Sequence, residues 1–153
     1  MTRRTAGRYS AWTASNRPLK VLLDTSYLYD LMMAPEKLLD AERRFLGGPT
    51  LRLHVSAVSI WEMRLKHDAR YRSGARKSPF DPNAVLTVLE DQEVVFVPMT
   101  MRHAARALDV PLGHRDPFDE LLLVQAQEES LQLLTADRRL ADHPLAITVK
   151  GRV

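Results

Sequence analysis

The sequence of 153 residues contains no cysteine. This absence excludes disulfide bonds, thiolate nucleophiles and zinc sites ligated by cysteine. A chain without cysteine also fits a reducing compartment, and we therefore expect a cytoplasmic protein.

Long apolar runs are missing too. No stretch approaches the roughly 20 apolar residues that a membrane-spanning helix needs, so we expect no membrane partner. The pair Arg3-Arg4 is not followed by the apolar segment of a secretory signal. The length suits one domain with a sizeable core. A hydrophobic content of 45% and a charged content of 27% are typical of globular proteins.

The net charge is +3, but the chain after residue 20 has no excess of positive charge. Five of the 22 basic residues lie in the first 20 positions, which hold no acid, so the other 17 face all 19 acids. We predict that residues 1–18 form a basic, flexible extension and that residues 19–153 form the domain. An arm that contacts RNA or a protein partner is the alternative role for the extension. The overall charge is therefore poor evidence that the domain itself binds nucleic acid.

The Gly-x-Ser-x-Gly and Walker motifs are absent as well. His67, His103 and His143 lack the spacing of a metal-binding pair. The string His114-Arg115-Asp116 resembles the catalytic loop of protein kinases, but the chain has no glycine-rich phosphate loop and is too short for that fold. Covalent nucleophilic catalysis therefore has little support.

Apolar runs typical of strands alternate with helical patterns along the chain. The predicted strands are Leu19–Asp24, Leu51–Ser56, Val94–Val97, Leu131–Thr135 and Ala146–Val149. The predicted helices are Ser26–Met33, Glu36–Leu46, Ser59–Tyr71, Asp81–Asp91, Met99–Leu108 and Asp116–Glu129. Strands that alternate with helices form a parallel sheet with helices on both faces. We therefore predict an α/β fold, a three-layer α/β/α domain with a five-stranded parallel sheet.

Acidic residues follow the predicted strands or begin the predicted helices. Asp24 ends the first strand, Glu62 and Asp119 lie in the first turns of two helices, and Asp137 follows the fourth strand. The carboxyl ends of parallel strands meet at one crevice, where we expect these acids to converge. Each acid also has a structural alternative. For Asp24, Asp116 and Asp137 the alternative role is that of a helix N-cap. For Glu62 it is a favourable interaction with the helix dipole, and for Asp119 it is the third position of a capping box.

Carboxylates that share a crevice without lysine or arginine between them repel each other. A divalent cation removes that repulsion, and Mg²⁺ binds carboxylate oxygens. The pattern therefore indicates a metal-dependent site that cleaves phosphodiesters. Thr135, two residues before Asp137, is a candidate to orient a carboxylate or a water molecule.

A basic stretch follows Glu62. It consists of Arg64, Lys66, Arg70, Arg72, Arg76 and Lys77, interrupted by Asp68. Its charge suits the guidance of RNA phosphates towards the crevice, while a solvated helix face is the structural alternative. Tyr71, in the middle of the stretch, suits either stacking on a base or packing within the protein.

Four strings of the sequence together resemble the PIN-domain family, and within it the VapC-type toxins of bacterial toxin–antitoxin pairs. They are Leu-Leu-Asp-Thr at 22–25, Ser-Ile-Trp-Glu at 59–62, His-Arg-Asp-Pro-Phe-Asp at 114–119 and Leu-Leu-Thr-Ala-Asp at 133–137. The resemblance covers about Val21 to Val149. The chain departs from the family pattern at Ser26, where Asn or His is commoner, and in its long extension before the first strand.

The resemblance implies a PIN-like fold, a homodimer and an endoribonuclease that depends on Mg²⁺ or Mn²⁺. It also implies that a cognate VapB-like antitoxin neutralises the enzyme. The residues implied for catalysis and metal binding are Asp24, Glu62, Asp119 and Asp137, with Asp116 accessory and Thr135 supporting.

Two alternatives to this interpretation stay open. The first is a catalytically inactive PIN-like module that binds RNA or a protein. The second is a phosphotransfer fold of the receiver or haloacid-dehalogenase type, which is also rich in acids at strand ends. The dehalogenase motif has a second aspartate two residues after the first, whereas this chain has Ser26 there.

Overall fold

The structure is a computed structural model that describes residues 17–78 and 80–149. The predicted basic extension therefore lies outside the described residues, except for Arg17 and Pro18. Residue 79 and residues 150–153 lie outside them as well. None of the helices in the described part of the chain is long and apolar enough to span a membrane.

The described residues form a parallel sheet flanked by helices. The strands are β1 (Leu19–Leu23), β2 (Leu51–Ser56), β3 (Val95–Val97), β4 (Gln132–Leu134) and β5 (Ala146–Ile147). The helices are α1 (Thr25–Met33), α2 (Asp40–Leu46), α3 (Ala57–Asp68), α4 (Pro82–Glu90), α5 (Met101–Ala105) and α6 (Pro117–Glu128), with a 3-10 turn at Pro35–Lys37. The five strands pair in parallel in the order β3-β2-β1-β4-β5. The predicted five-stranded parallel sheet is confirmed.

Strand β1 lies at the centre of the sheet, with Leu22 paired to His54 of β2 on one side and to Leu133 of β4 on the other. Strands β2 and β3 lie on one side of β1, and β4 and β5, which come later in the sequence, lie on its other side. The strand order therefore reverses between β1 and β4. Ligands of open α/β sheets bind at the carboxyl ends of the strands at such a reversal. Asp24 and Thr135 immediately follow these two strands.

Residues 21–23 of β1 are buried on both faces of the sheet, which explains their apolar sequence, whereas Lys20 before them is exposed. Val21 and Leu23 point into one core cluster with Tyr27 and Leu28 of α1. Leu22 points into the other cluster, formed with α6 and β4. Because side chains alternate along a strand, one short run supplies both cores. The rigid frame of the crevice is therefore built around β1.

The predicted helix Glu36–Leu46 is divided in the structure. A 3-10 turn occupies Pro35–Lys37, and α2 begins only at Asp40. The carboxylate of Glu42 causes the new start, because it accepts the backbone N–H of Leu39 at 2.7 Å and the hydroxyl hydrogen of Tyr27 at 2.6 Å. A tertiary contact to α1 thus sets this boundary.

The predicted helix Met99–Leu108 is shortened to α5, Met101–Ala105. Its continuation is prevented by Gln127 of α6, which accepts the backbone N–H of Asp109 at 2.8 Å and donates to the carbonyl of Ala107 at 3.1 Å. In a longer helix the N–H of Asp109 would donate to the carbonyl of Ala105, and Gln127 takes the place of that carbonyl.

Helix α3 begins at Ala57, two residues before the predicted start, because Ser56 at the end of β2 caps it. The Ser56 hydroxyl accepts the backbone N–H of Val58 at 2.9 Å. Glu62 therefore lies in the second turn, and the prediction that it lies in the first turn was wrong. The benefit of an acid beside the helix N-terminus falls off within that first turn.

We predict that Leu122→Ala lowers the free energy of unfolding by about 2–5 kcal/mol, since Leu122 is fully buried in α6. Val88→Ala, at a half-exposed position of α4, serves as the control and should change it by less than about 0.5 kcal/mol. Urea denaturation measures both variants. Equal effects of the two substitutions would contradict this account of the core.

Candidate active site

Asp24 is the most deeply buried of the four candidate acids. It occupies the N-cap position of α1, but its Oδ2 accepts a hydrogen bond from the Thr135 hydroxyl at 2.6 Å. Its backbone N–H donates to the carbonyl of Leu134 at 3.0 Å. Burial raises the pKa of Asp24 to about 6. The Thr135 hydrogen bond opposes this rise, and the charges of Asp119 and Glu62 add to it.

Asp119 lies in the first turn of α6 and is also buried. His114 Nε2 lies 2.8 Å from Asp119 Oδ2, and Arg139 Nη2 lies 3.8 Å from the same oxygen. Burial raises the pKa of Asp119, the His114 hydrogen bond opposes the rise, and the charge of Asp116 adds to it. Asp24 and Asp119 are therefore two acids whose ionised forms are disfavoured by burial.

Asp116 is the N-cap of α6. Its Oδ1 accepts the backbone N–H groups of Phe118 at 2.9 Å and Asp119 at 3.3 Å. Pro117 occupies the first helical position, where its missing N–H costs nothing. Asp116 thus fixes the turn that carries Asp119.

Glu62 projects from α3 and is paired with a base of the same helix. Its Oε1 lies 2.7 Å from Lys66 Nζ, one turn later. A buried hydrogen bond from the Thr25 hydroxyl to Ser59 Oγ, at 2.9 Å, holds α3 against the start of α1. The residue after Asp24 thereby positions the helix that carries Glu62.

Asp137 lies just beyond β4 and is paired with Arg139. Arg139 Nη2 lies 2.7 Å from Asp137 Oδ2, and the backbone N–H of Arg139 donates to Oδ1 at 2.8 Å. The hydrogen bond from the Arg139 side chain is the main reason that the pKa of Asp137 is lowered. The backbone N–H of Asp137 also donates to Thr135 Oγ1 at 3.0 Å, so Thr135 connects Asp137 to Asp24.

These acids belong to one electrostatic cluster. The charges of Asp119 and Glu62 act on Asp24, and those of Asp116 and Arg139 act on Asp119. Within residues 17–78 and 80–149, no three acidic or histidine side chains are already gathered in a metal-binding arrangement. Mg²⁺ keeps several of its waters and binds through one or two carboxylates, so it does not need such a closed cage.

The donors in the cluster fit a hard divalent cation. Asp24 and Asp119 supply buried carboxylates, and a cation beside them would favour the ionised form of both. Glu62 and Asp137 supply further oxygens if they exchange their basic partners for the cation. A set of carboxylate oxygens suits Mg²⁺ or Mn²⁺.

Two basic side chains lie among the acids, although the sequence pattern predicted none between them. Lys66 pairs with Glu62, and Arg139 pairs with Asp137 and approaches Asp119. The signal for Lys66 was its spacing of four residues from Glu62 on a helix. Arg139 lies two residues after Asp137, where helical spacing does not apply, so only the turn after β4 brings the two together.

Sequence reasoning also missed His114 as a member of the site. It is the first residue of the His-Arg-Asp-Pro-Phe-Asp string, and it contacts the last residue of that string. The Asp116 cap folds the string back, which brings two residues five positions apart into contact.

The six residues of the basic stretch after Glu62 differ in exposure and in their contacts. Most of it is exposed, namely Arg64, Arg70, Arg72, Arg76 and Lys77. Arg70 donates to the carbonyl of Gly74 in the same loop, and Arg76 donates to the carbonyl of His67 near the end of α3, both at 2.7 Å. Arg64 lines an apolar cavity with Trp61, and Lys66 is partly buried against Glu62.

Comparison with known proteins agrees with this architecture. The model of the PIN domain family matches residues 21–144. No curated protein sequence matches the chain.

Two solved structures share the fold. A chain of VapBC2 from Rickettsia felis, crystallised with a DNA fragment from its promoter, superposes with a TM-score of 0.54 at 12% identity, covering 85% of this chain and 97% of the other. A chain of DNA-bound VapBC from Salmonella typhimurium gives 0.51 at 17% identity, covering 85% and 96%. At such low identity these similarities show the fold alone.

We predict that Asp24→Asn stabilises the protein at neutral pH when EDTA removes divalent cations. The folded protein keeps a proton on Asp24 up to about pH 6, whereas the unfolded chain loses it near the usual value of 3.8. The stability of the wild type therefore falls as the pH rises through this window and stays lower above it. At about 1.4 kcal/mol per pKa unit, the asparagine variant should gain about 3 kcal/mol.

Thermal unfolding of both proteins at a series of pH values measures this difference. The advantage of the variant should be small at low pH and reach its full size above about pH 6. A difference independent of pH would contradict the buried state of the Asp24 carboxyl.

We predict that Asp116→Asn leaves metal affinity and stability nearly unchanged, because asparagine caps helices as well as aspartate does. Asp116→Ala should lower the free energy of unfolding by about 1 kcal/mol through loss of the cap. Denaturant unfolding and Mg²⁺ titration measure both. Loss of Mg²⁺ affinity in Asp116→Asn would identify Asp116 as a ligand instead.

Proposed function

The chain belongs to the PIN-domain family, and we propose that it is a metal-dependent endoribonuclease toxin of the VapC type. The acid cluster at the carboxyl ends of β1 and β4 carries the proposal. Two of its members, Asp24 and Asp119, are buried carboxyls with raised pKa values. Buried acids that repel each other destabilise a fold, so their presence favours a site that is completed by a cation.

Each residue of the cluster has a distinct role in this proposal. Asp24 and Asp119 are the principal ligands of Mg²⁺ or Mn²⁺, and Glu62 and Asp137 complete the ligand set. Thr135 orients Asp24 through its hydroxyl. When bound, the cation supplies Lewis acidity, which activates water and offsets the charge that develops on the phosphoryl group.

Lys66 and Arg139 neutralise Glu62 and Asp137 in the absence of a cation. Because these acids are needed for the cation, both bases have to leave them when the site is loaded. The guanidinium of Arg139 is more than half exposed, so it can turn towards solvent. There it binds an RNA phosphate, for which its planar group is suited.

We propose a VapB-like antitoxin as the inhibitor. The two similar structures named above are chains of VapBC complexes. Arg139 supplies an argument within this chain, since its guanidinium already binds Asp137 at 2.7 Å and approaches Asp119. The cluster therefore accepts guanidinium groups, and an arginine from an antitoxin would bind it in the same way.

A homodimer is the proposed assembly. Large apolar side chains are partly exposed on α3 and β3, among them Trp61 and Phe96. Exposed apolar surface of this kind marks protein interfaces.

The alternative is a catalytically inactive module that binds RNA or a protein. One observation favours it, namely that two of the four acids are already paired with internal bases. In that case Lys66 and Arg139 would replace the cation permanently.

We predict that the purified chain, freed of antitoxin, cuts total bacterial RNA into discrete fragments with Mg²⁺ and not with EDTA. Asp24→Asn should reduce the rate by more than about 100-fold, since loss of an outer contact to a metal ligand already costs 10- to 100-fold. Glu93→Gln removes an exposed carboxylate outside the cluster and is the matched control with unchanged activity.

Folded protein that neither cleaves RNA nor gains melting temperature with Mg²⁺ would overturn the nuclease proposal. The binding module would then be the better interpretation. Mapping of the fragment ends identifies the RNA sequence that is cut.

A further inference from the structure

A second cavity opens next to the acid cluster, on the side of α3 that carries Lys66. Its volume is about 380 Å³. It is lined by Tyr29, Met33, Lys66, Tyr71, Lys77 and Ser78. These residues come from α1, from α3 and from residues 69–78, which we call the α3–α4 loop.

The cavity is connected to the cluster through a single side chain. Lys66 lines the cavity, and its Nζ lies 2.7 Å from Glu62 Oε1. Tyr29 and Met33, which also line the cavity, belong to α1, the helix that starts immediately after Asp24. A nucleotide in the cavity would therefore lie next to a phosphate held at the acids.

Two tyrosine rings and two ammonium groups give the cavity its chemistry. Lys77 Nζ lies 5.6 Å from the centroid of the Tyr71 ring, and Lys66 Nζ lies 5.7 Å from that of Tyr29. Aromatic faces stack on bases of any sequence, and lysines bind phosphates. The combination of both in one cavity is suited to a single-stranded nucleic acid.

The two tyrosines differ in freedom. The Tyr29 hydroxyl donates to Ser78 Oγ at 3.0 Å, which fixes that ring as a wall. Tyr71 has 58% of its surface exposed. Of the two roles that the sequence allowed for Tyr71, packing within the protein is therefore the weaker one.

The α3–α4 loop holds Tyr71 in place although the ring is exposed. The backbone N–H of Tyr71 donates to the carbonyl of Ala75, and that of Gly74 donates to the carbonyl of Tyr71, both at 2.9 Å. Gly74 has a φ of +86°, which glycine adopts without strain. The N–H of Lys77 binds the carbonyl of Ala69 at 2.9 Å, which closes the loop onto the end of α3. The backbone that carries Tyr71 is therefore already ordered, and less entropy is lost when a base stacks on the ring than if the loop had to be ordered first.

We propose that this cavity binds an unpaired base of single-stranded RNA next to the phosphate that is cleaved. The base stacks on Tyr71, and Lys77 contacts the adjoining phosphate. This inference rests on the proposed function, because the cleaved phosphate is bound at the neighbouring acids only if the chain is a nuclease. Double-stranded RNA should not fill the cavity, because its bases stay stacked in the helix.

The test is binding of fluorescently labelled, short single-stranded RNA of random sequence to the full chain, measured by anisotropy. The Asp24→Asn background keeps the RNA intact. Tyr71→Ala should weaken binding by about 5- to 150-fold, as expected for the loss of one stacked base. Tyr71→Phe and Tyr71→Trp keep the ring and should stay close to the parent. Duplex RNA of the same composition should bind equally to all four proteins.

Lys77→Ala provides an independent readout. For this variant, the slope of the logarithm of the binding constant against the logarithm of the salt concentration should be shallower by about 0.7, the value for one phosphate contact to a single strand. Lys20→Ala, an exposed lysine in β1, and Val88→Ala, an exposed apolar residue in α4, are the controls and should leave both affinity and slope unchanged. Melting temperatures verify that all variants are folded.

The possible failures are distinguishable. Cleavage by the wild type combined with unchanged RNA binding by Tyr71→Ala would overturn this inference and leave the nuclease proposal intact. Tyr71-dependent binding without any cleavage would support the base-binding cavity and overturn the nuclease proposal. Unchanged RNA binding together with loss of a co-purifying antitoxin in Tyr71→Ala would assign the surface to a protein partner and overturn the inference.

Discussion

A carboxylate buried between the ends of β1 and β4 has to be compensated, and the arrangement of the site follows from this requirement. Asp24 lies at the reversal of the strand order, where burial raises its pKa to about 6. Thr135 donates to it from the end of β4, and Thr25 beside it holds α3 through Ser59. The ends of β1 and β4 and the starts of α1 and α3 thus meet at or beside this unfavourable charge.

The neighbouring acids are compensated by the chain itself. Lys66 binds Glu62, Arg139 binds Asp137 and His114 binds Asp119, each at 2.7–2.8 Å. Lys66 and Arg139 can be exchanged for another cation, because both side chains are partly exposed and can turn towards solvent. In the proposed function, a metal ion, the guanidinium of an antitoxin and the bases of the chain compete for the same oxygens. This competition links activity and inhibition in the proposed function.

Much of the fold was predictable because local and tertiary preferences agree. Strand β2 has the predicted bounds, Leu51–Ser56, and Asp81 and Asp116 cap the helices that their prolines begin. The predictions failed where a side chain bound the backbone or a distant residue. Glu42 accepts the N–H of Leu39 at the start of α2 and the hydroxyl hydrogen of Tyr27 in α1, and Gln127 of α6 binds the backbone just after α5. The contacts of Glu42 with Tyr27 and of Gln127 with Asp109 join parts of the chain that are far apart in sequence, so no local pattern predicts them.

The sequence by itself determined the alternation of strands and helices, the parallel sheet and the positions of the acids at the strand ends. It did so because hydrophobic periodicity and proline caps act over a few residues. Only the tertiary structure decided how those acids are used. The pairing of Arg139 with Asp137, the contact of His114 with Asp119 and the exposed ring of Tyr71 beside Lys77 depend on turns and on packing between elements. Burial raises a pKa only once the chain has closed around the acid, so the electrostatics of the site belong to the fold and not to any segment of the sequence.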